Sequence, residues 1–277
     1  MSIEKRFAVI GFGAITEEIL RCLAQLGASQ SLVGVLVRPE RLAEARNKAG
    51  GRFPVVDRLD ALLELRPDAV AECAGHGAMR QFGAEVLARG TDLLCASVGV
   101  LADRDFAAAL MRQARGRLLI PSGAVAGLDG LLAARTAGLE RVTYTSVKPP
   151  AAWIGTPGEA QVAAARGKRI AFFEGTAREA ALQYPQNANV GMAVSLAGLG
   201  PDRTIARLVS DPEASGPLGI IEAEGDFGRF RFEILAYASR SNPKTSALTA
   251  HSVVAALREG MAFEVDRLDA EKNKGVH

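Results

Sequence analysis

The chain has 277 residues, which is enough for two domains and long for a single hydrophobic core. Hydrophobic residues make up 48% and charged residues 23%, values typical of a soluble globular protein. The formal net charge of +2 gives no reason to expect a nucleic-acid-binding surface, and no apolar run approaches the roughly 20 residues of a membrane helix.

The first 122 residues alternate short apolar runs with helical patterns. The runs predict strands over residues 7–10, 31–37, 53–56, 68–74, 92–97 and 117–120. The patterns between them predict helices over residues 14–26, 40–48, 59–65, 78–88 and 103–114. Because the runs are apolar on both faces, the sequence predicts an α/β fold with a Rossmann-type doubly wound parallel sheet.

A glycine loop joins the first predicted strand to the first predicted helix, and it reads Gly11-Phe12-Gly13-Ala14-Ile15-Thr16. Gly11 permits a tight turn, and Gly13 has no side chain to obstruct a pyrophosphate at the helix N-terminus. Thr16 stands where a third glycine is usual, and its hydroxyl could bond a phosphate. The loop predicts dinucleotide binding through Gly11, Gly13, Ala14 and Ile15.

Arg38 follows the second predicted strand, where NAD-selective domains usually carry an acidic residue for the ribose hydroxyls. An arginine there can meet a 2′-phosphate or stack on adenine. The expected cofactor is therefore NADP, or NAD and NADP both. The alternative is that Arg38 is a solvated surface residue.

The pattern changes after residue 122, where longer alternating segments predict a second domain of α+β type over residues 123–242. Asp226-Phe227-Gly228 predicts a hairpin turn between two of its strands. An amphipathic helix is predicted over residues 246–258, and this C-terminal segment, residues 243–260, is expected to pack back onto the first domain, residues 1–122. The far face of the second sheet needs cover, which favours a homodimer.

Eight strings resemble one known family. They are Gly11-Phe12-Gly13-Ala14-Ile15, Glu72-Cys73-Ala74-Gly75-His76, Ser97-Val98-Gly99, Pro121-Ser122-Gly123-Ala124-Val125-Ala126-Gly127-Leu128-Asp129, Lys148-Pro149-Pro150, Gly175-Thr176-Ala177-Arg178-Glu179-Ala180, Pro185-Gln186-Asn187-Ala188-Asn189-Val190 and Asn242-Pro243-Lys244-Thr245-Ser246. They span most of the chain, which resembles the L-aspartate dehydrogenases linked to NAD biosynthesis. The resemblance implies NAD(P)-dependent oxidative deamination of L-aspartate to iminoaspartate and oxaloacetate, or the reverse amination, by a homodimer. It also implies that Ala124 and Asn189 contact the dinucleotide.

One departure from the family concerns its proposed acid–base histidine, which follows an Asp-Pro pair by seven residues. Here Pro217 stands where an asparagine is expected and Gly219 where the histidine is expected. Neither replacement can carry a proton. The chain is therefore either a dehydrogenase whose proton carrier lies elsewhere, an NAD(P)-binding protein with lost activity, or an oxidoreductase for another small acid.

Six residues remain candidates for the chemistry. His76 follows the fourth predicted strand at the carboxyl edge of the sheet, where ligands bind, and could replace the missing base. Lys148, Arg178, Asn187 and Lys244 are candidates for binding the substrate, and Lys148 is also a candidate for catalysis. Each has an ordinary structural alternative. Glu72, buried at a strand end, is expected to bond to backbone or to a nearby base.

The three cysteines, Cys22, Cys73 and Cys95, lie in apolar segments without metal-ligand spacing. They predict reduced core residues of a cytoplasmic protein, and the start of the chain shows no secretory signal. No metal, nucleic acid or membrane partner is expected.

Overall fold

The computed structural model describes residues 5–239 and 242–265. The described residues fall into two compact units. Unit 1 comprises residues 5–97, 105–123, 239 and 242–265, and unit 2 comprises residues 98–104 and 124–238. No helix among the described residues is long and apolar enough to cross a membrane.

The sheet of unit 1 has seven strands in its described part. They are β1 (Phe7–Ile10), β2 (Leu32–Leu36), β3 (Val55–Val56), β4 (Ala69–Glu72), β5 (Asp92–Cys95), β6 (Leu118–Pro121) and β14 (Ala262–Glu264). Their order across the sheet is β14-β6-β5-β4-β1-β2-β3. The first six strands are parallel and β14 pairs antiparallel with β6 at the edge. Strand order reverses between β1 and β4, which is where doubly wound sheets bind their ligands.

Helices cover this sheet. They are α1 (Ala14–Gln25), α2 (Leu42–Ala49), α3 (Leu59–Leu63), α4 (His76–Ala88), α5 (Arg104–Met111) and α10 (Ala247–Glu259). Every residue of β1 and β4 is buried, as expected of strands covered on both faces. Val253 and Leu257 of α10 join the core that contains β1 and α1, so this C-terminal helix belongs to unit 1.

Unit 2 contains a second sheet of five strands in its described part. They are β7 (Leu139–Lys148), β8 (Ile170–Thr176), β9 (Ile205–Ser210), β10 (Leu218–Gly225) and β11 (Gly228–Leu235), in the order β11-β10-β7-β9-β8. β7 pairs parallel with β9, and the other neighbours pair antiparallel. The β10–β11 hairpin turns at Asp226-Phe227, as the sequence predicts.

Four helices of unit 2 are α6 (Leu128–Arg135), α7 (Glu159–Ala164), α8 (Ala177–Gln183) and α9 (Asn189–Ala197). A Cβ placed on Gly191 of α9 would lie 3.3 Å from Tyr144, so α9 covers the face of β7 that carries Tyr144. The buried segment Val98–Ala102 packs against α9 and α8 and belongs to unit 2. The sequence predicts that this segment belongs to the first domain. That prediction differs from the structure because the contacts of the segment are with α8 and α9, which are distant along the chain.

The predicted fold class is confirmed, and one predicted strand is corrected. The strand predicted over residues 53–56 is shortened to Val55–Val56 at the sheet edge. The helix predicted over residues 246–258 is confirmed as Ala247–Glu259, and the residues before it, Asn242–Ser246, form strand β13, which pairs with β12 (Ala238–Ser239). Ser246 caps the helix by accepting a hydrogen bond from the N–H of Leu248 at 3.2 Å.

Candidate active site

The turn between β1 and α1 is built on two glycines with different structural roles. Gly11 has φ +100°, and a Cβ there would lie 2.8 Å from Cβ of Ala74, so a side chain is excluded twice over. Gly13 has ordinary backbone angles, and a Cβ there would meet no atom within 4 Å. The space above Gly13 is thus open beside the N-terminus of α1, where Ala14 and Ile15 form the first turn.

Thr16 has a structural role that differs from the one expected. Its side chain is fully buried, and its hydroxyl donates to the carbonyl oxygen of Gly11 at 2.9 Å. The expectation that this hydroxyl bonds a phosphate is therefore wrong. The threonine instead fastens the helix to the glycine turn.

A cavity of about 590 Å³ lies beside this turn, entirely within unit 1. Its lining includes Gly11 and Gly13 of the turn, Leu36 and Arg38 at the end of β2, and Ala74 before α4. Glycines, a helix N-terminus and an adjacent apolar slot fit the pyrophosphate and adenosine parts of a dinucleotide.

Three cations line the same cavity: Arg38, Arg41 and Lys48. Their partners are nearby carboxylates, with Arg38 Nε 3.3 Å from Glu40 and Arg41 Nε 2.8 Å from Glu44. Lys48 pairs with Glu17 and lies 5.2 Å from the ring centroid of Phe12. An exposed pair of this kind is weak, so an incoming phosphate can compete for the cation.

Glu72, at the end of β4, is fully buried and organises the neighbouring backbone. One carboxylate oxygen accepts from the N–H groups of Ala74 and Gly75, both at 2.7 Å, and the other accepts from the N–H of Ser97 at 3.2 Å. Burial raises the pKa of Glu72, and the hydrogen bonds oppose that shift. The expected bonding to backbone is confirmed, and the role of this carboxylate is to shape the loop that leads to His76.

His76 is the first residue of α4 and is half-buried. It stands at the carboxyl end of β4, on the edge of the sheet that also carries the glycine turn. Its predicted part in catalysis stays a prediction. The cysteines offer no alternative, because burial raises the pKa of both Cys73 and Cys95 well above the ordinary value.

In unit 2, the structure brings together two predicted substrate residues that are 39 positions apart in the chain. Lys148 ends β7, and its ammonium donates to Oδ1 of Asn187. The same Nζ lies 5.5 Å from the ring centroid of Trp153. Burial lowers the pKa of Lys148 to about 8, so the neutral amine becomes accessible near physiological pH.

Gly219 lies on β10 opposite Ser146 of β7. A Cβ there would lie 3.5 Å from Cε2 of Tyr144, 3.6 Å from its Oη and 3.7 Å from Cγ1 of Val125. These are ordinary van der Waals distances, so the position can accept a Cβ. Burial raises the pKa of Tyr144 to about 12, and a hydrogen bond with Ser146 acts in the opposite direction.

Arg178 begins α8, and its donors have partners within unit 2. Nε and Nη2 bind the two carboxylate oxygens of Asp202 at 2.7 and 2.9 Å, and Nη1 donates to the carbonyl of Ala102. The Arg178 hydrogen bond lowers the pKa of Asp202. The arginine therefore holds the segment around Ala102 in place, and its binding of substrate stays a prediction.

Three further predicted residues have separate positions. Ala124 lies half-buried in a turn of unit 2. Asn189 begins α9, and its side-chain oxygen accepts from the N–H of Gly99 at 2.9 Å, which leaves its amide nitrogen as a donor. The side chain of Lys244 lies outside the described residues.

Sequence reasoning missed Arg41, Lys48 and Tyr144. Arg41 immediately precedes α2, and Lys48 follows seven residues later, a spacing that returns to the same face of a helix. That spacing, read together with Arg38, was a usable signal. No comparable signal exists for Tyr144, because its place next to Gly219 depends on the pairing of β7 with β10.

Two family models match the chain. The one described as homoserine dehydrogenase, NAD binding domain, matches residues 11–117. The one described as aspartate dehydrogenase, C-terminal, matches residues 129–260. The two matches cover the glycine turn and the strands that carry Lys148 and Gly219.

Similar proteins agree with these matches. An L-aspartate dehydrogenase of Pseudomonas aeruginosa is 46% identical over 90% of this chain and 95% of its own. One of Ruegeria pomeroyi is 44% identical over 92% of both chains. A crystal structure of aspartate dehydrogenase from Thermotoga maritima has a TM-score of 0.69 at 21% identity, covering 98% of this chain and 99% of the other, which supports the fold.

Proposed function

The chain belongs to the L-aspartate dehydrogenase family, and we propose that it catalyses the NAD(P)-dependent oxidation of L-aspartate. The product is iminoaspartate, which hydrolyses to oxaloacetate and ammonia, and the reverse amination uses the same groups. The observation that carries the proposal is identity above 40% across both units with proteins of that name.

The proposed roles follow the two units. The domain within residues 1–122 binds the dinucleotide through Gly11, Gly13, Ala14 and Ile15, where the glycine turn leaves open space beside a helix N-terminus. The domain within residues 123–242 supplies the substrate site. A bound NAD(P) supplies the hydride acceptor.

For the cofactor, we propose that NADP is accepted at least as well as NAD. NAD-selective domains usually carry a carboxylate at the position of Arg38, and that carboxylate would repel a 2′-phosphate. In this chain Arg38 takes its place, and Arg41 and Lys48 line the same cavity. Ala124 and Asn189 are proposed to contact the nicotinamide half of the dinucleotide, Asn189 through its amide nitrogen.

The dicarboxylate substrate needs cationic and amide partners. Asn187 is proposed as an amide partner of a carboxylate, Lys148 beside it is proposed to contact the substrate, and Arg178 and Lys244 remain proposed contributors. His76, at the sheet edge of unit 1, is proposed to orient cofactor or substrate.

The function is tested by following NADH and NADPH consumption with oxaloacetate and ammonium, and their formation with L-aspartate. Pyruvate and 2-oxoglutarate replace oxaloacetate as controls. Turnover that requires both oxaloacetate and ammonium supports the proposal. A protein that binds NADPH, detected by its fluorescence, yet turns over no substrate pair would instead be a dinucleotide-binding protein without this activity.

We further propose that the protein acts in the cytoplasm and supplies iminoaspartate to pyridine nucleotide formation. Three free cysteines suit a reducing compartment. Deleting the encoding sequence from its host and measuring the requirement for a pyridine precursor tests the metabolic role. Unchanged growth without such a precursor, in a host with no second source of iminoaspartate, would contradict it.

We propose a homodimer formed by the face of the unit 2 sheet opposite Tyr144. This face mixes apolar and charged side chains, including Thr143, Ile205 and the ion pair between Arg231 and Glu222 at 2.7 Å. A two-fold interface must be complementary to itself, and a patch with both charge signs beside apolar groups meets that condition.

A further inference from the structure

The strand β7 places three polar side chains on one face, in alternate positions: Tyr144, Ser146 and Lys148. β10 runs beside this face, and Gly219 is the residue directly opposite Ser146. Lys148 is therefore the diagonal neighbour of Gly219, at a Cβ separation of about 7 to 8 Å in a regular antiparallel pair. A side chain at position 219 and the side chain of Lys148 would share one small region of the site.

Lys148 is suited to hold or release a proton in that region. Its Nζ is oriented by Oδ1 of Asn187 and by the ring of Trp153. The neighbouring ionisable groups have other bonds: Tyr144 bonds to Ser146, and Asp211 pairs with Arg169 at 3.4 Å and accepts from the N–H of Glu213 at 2.9 Å. The pKa of Lys148 is lowered by burial.

We propose that Lys148 is the general base of this chain, and that it receives the proton which the family's histidine, replaced here by Gly219, is expected to carry. This inference rests on the proposed aspartate dehydrogenase activity. A solvated lysine would be almost fully protonated at neutral pH, whereas an amine with a pKa of about 8 is neutral in roughly a tenth of molecules at pH 7.

The proton and electron balance is as follows. The neutral Nζ of Lys148 accepts a proton from the α-ammonium of aspartate, which frees the nitrogen lone pair. The Cα–H bond then breaks, its electron pair leaves as hydride to the nicotinamide C4, and the lone pair forms the C=N bond. Aspartate is oxidised by two electrons and NAD(P)⁺ is reduced. Water then adds to the iminium carbon, and the C–N bond breaks to release ammonium and oxaloacetate. The ammonium of Lys148 finally releases its proton to solvent, which restores the neutral amine.

The experiment compares the wild type with Lys148→Met, Lys148→Arg, Gly219→His and the double variant K148M/G219H. The backbone at Gly219 admits a Cβ, which would meet its neighbours only at ordinary contact distances. The readouts are kcat, the KM for L-aspartate, the pH dependence of kcat/KM and the dissociation constant of NADPH. Thermal unfolding checks that each variant is folded.

If Lys148 is the base, both single lysine variants lose about 100-fold or more in kcat with NADPH affinity unchanged. The arginine variant is as impaired as the methionine variant, since guanidinium does not deprotonate. The double variant recovers at least 10-fold over Lys148→Met. Its activity rises with pH near the usual imidazole value of about 6.5, whereas that of the wild type rises near 8.

With an active wild type, three results would overturn the inference. Lys148→Arg with near-normal kcat would show that only the charge matters, as in carboxylate binding. A raised KM with retained kcat in Lys148→Met would show the same. Equal effects of Gly219→His with and without Lys148 would show that the two groups are not interchangeable. A wild type without turnover overturns both this inference and the proposed function, whereas an active wild type isolates the failure to Lys148.

Discussion

Lys148 illustrates the cost of burying a titratable group. Its pKa falls from 10.5 in the unfolded chain to about 8 in the folded protein. Between these values the unfolded chain holds a proton that the folded protein has released, so the stability of the wild type rises with pH across this range. Below about pH 8 the folded protein carries the full cost of the buried charge, on the order of 3 kcal/mol.

Replacing Lys148 by Met is therefore expected to stabilise the protein at pH 7. The gain is about 2 kcal/mol, since loss of the bond to Asn187 offsets part of the relieved cost. The gain shrinks as pH rises from 8 towards 10.5, where the wild-type amine is neutral in both states. Denaturant unfolding at several pH values measures it. Lys168→Met, at an exposed position, is the control, and a difference that does not vary with pH would refute this account.

A second residue-scale prediction concerns the cations that line the cavity beside the β1–α1 turn. Arg41→Ala is expected to weaken NADPH binding by about 10-fold, equivalent to 1.4 kcal/mol, and to change NADH binding much less. Fluorescence titration with both cofactors measures the ratio. Arg89→Ala is a matched control, because Arg89 is also exposed and paired with carboxylates but does not line the cavity. Equal losses for NADH and NADPH would argue against a 2′-phosphate contact.

At the scale of elements, two glycines of the β1–α1 turn are expected to have different effects when substituted. Gly11 is expected to affect stability, and Gly13 is expected to affect cofactor binding. Gly11→Ala places a Cβ 2.8 Å from that of Ala74 at φ +100°, and is expected to lower the free energy of unfolding by about 1 to 3 kcal/mol. Gly13→Ala meets no neighbour within 4 Å and should leave stability within about 0.5 kcal/mol.

The same pair of variants differs in binding. The methyl group of Gly13→Ala enters the space assigned to the pyrophosphate, so NADPH affinity should fall at least 10-fold while the unfolding curve stays unchanged. Calorimetric titration and denaturant unfolding of both variants provide the comparison. If Gly13→Ala binds NADPH with wild-type affinity, the pyrophosphate does not lie next to Gly13.

At the scale of the whole molecule, the proposed homodimer predicts a particle of twice the 29.1 kDa chain mass by light scattering. Ile205→Asp places a charge on the proposed interface and is expected to convert the dimer to monomers. Leu182→Asp, on an exposed position of α8, should leave the dimer intact. A wild-type protein that remains monomeric at micromolar concentration would refute the interface.

The residue sequence by itself determined the nucleotide-binding architecture. Short runs such as Phe7–Ile10 are apolar on both faces, and their alternation with helical stretches favours strands covered on both sides. Gly11 and Gly13 predict a phosphate-binding turn, because the need for glycine at these positions can be inferred from neighbouring residues in the sequence. The comparison with the family strings placed Lys148, Asn187 and Gly219 among the residues of interest. Local chemistry did not predict that Thr16 would turn inward to Gly11 or that Asn242–Ser246 would form a strand.

Only the tertiary structure decided which of those residues meet. Lys148 and Asn187 are joined across 39 residues, Arg178 is taken up by Asp202 and Ala102, and Gly219 faces Tyr144 through strand pairing. The physical reason is that hydrogen-bond partners and burial depend on register and on contacts between distant segments, which no local pattern records. The lowered pKa of Lys148, and with it the proposed base, follows from that burial.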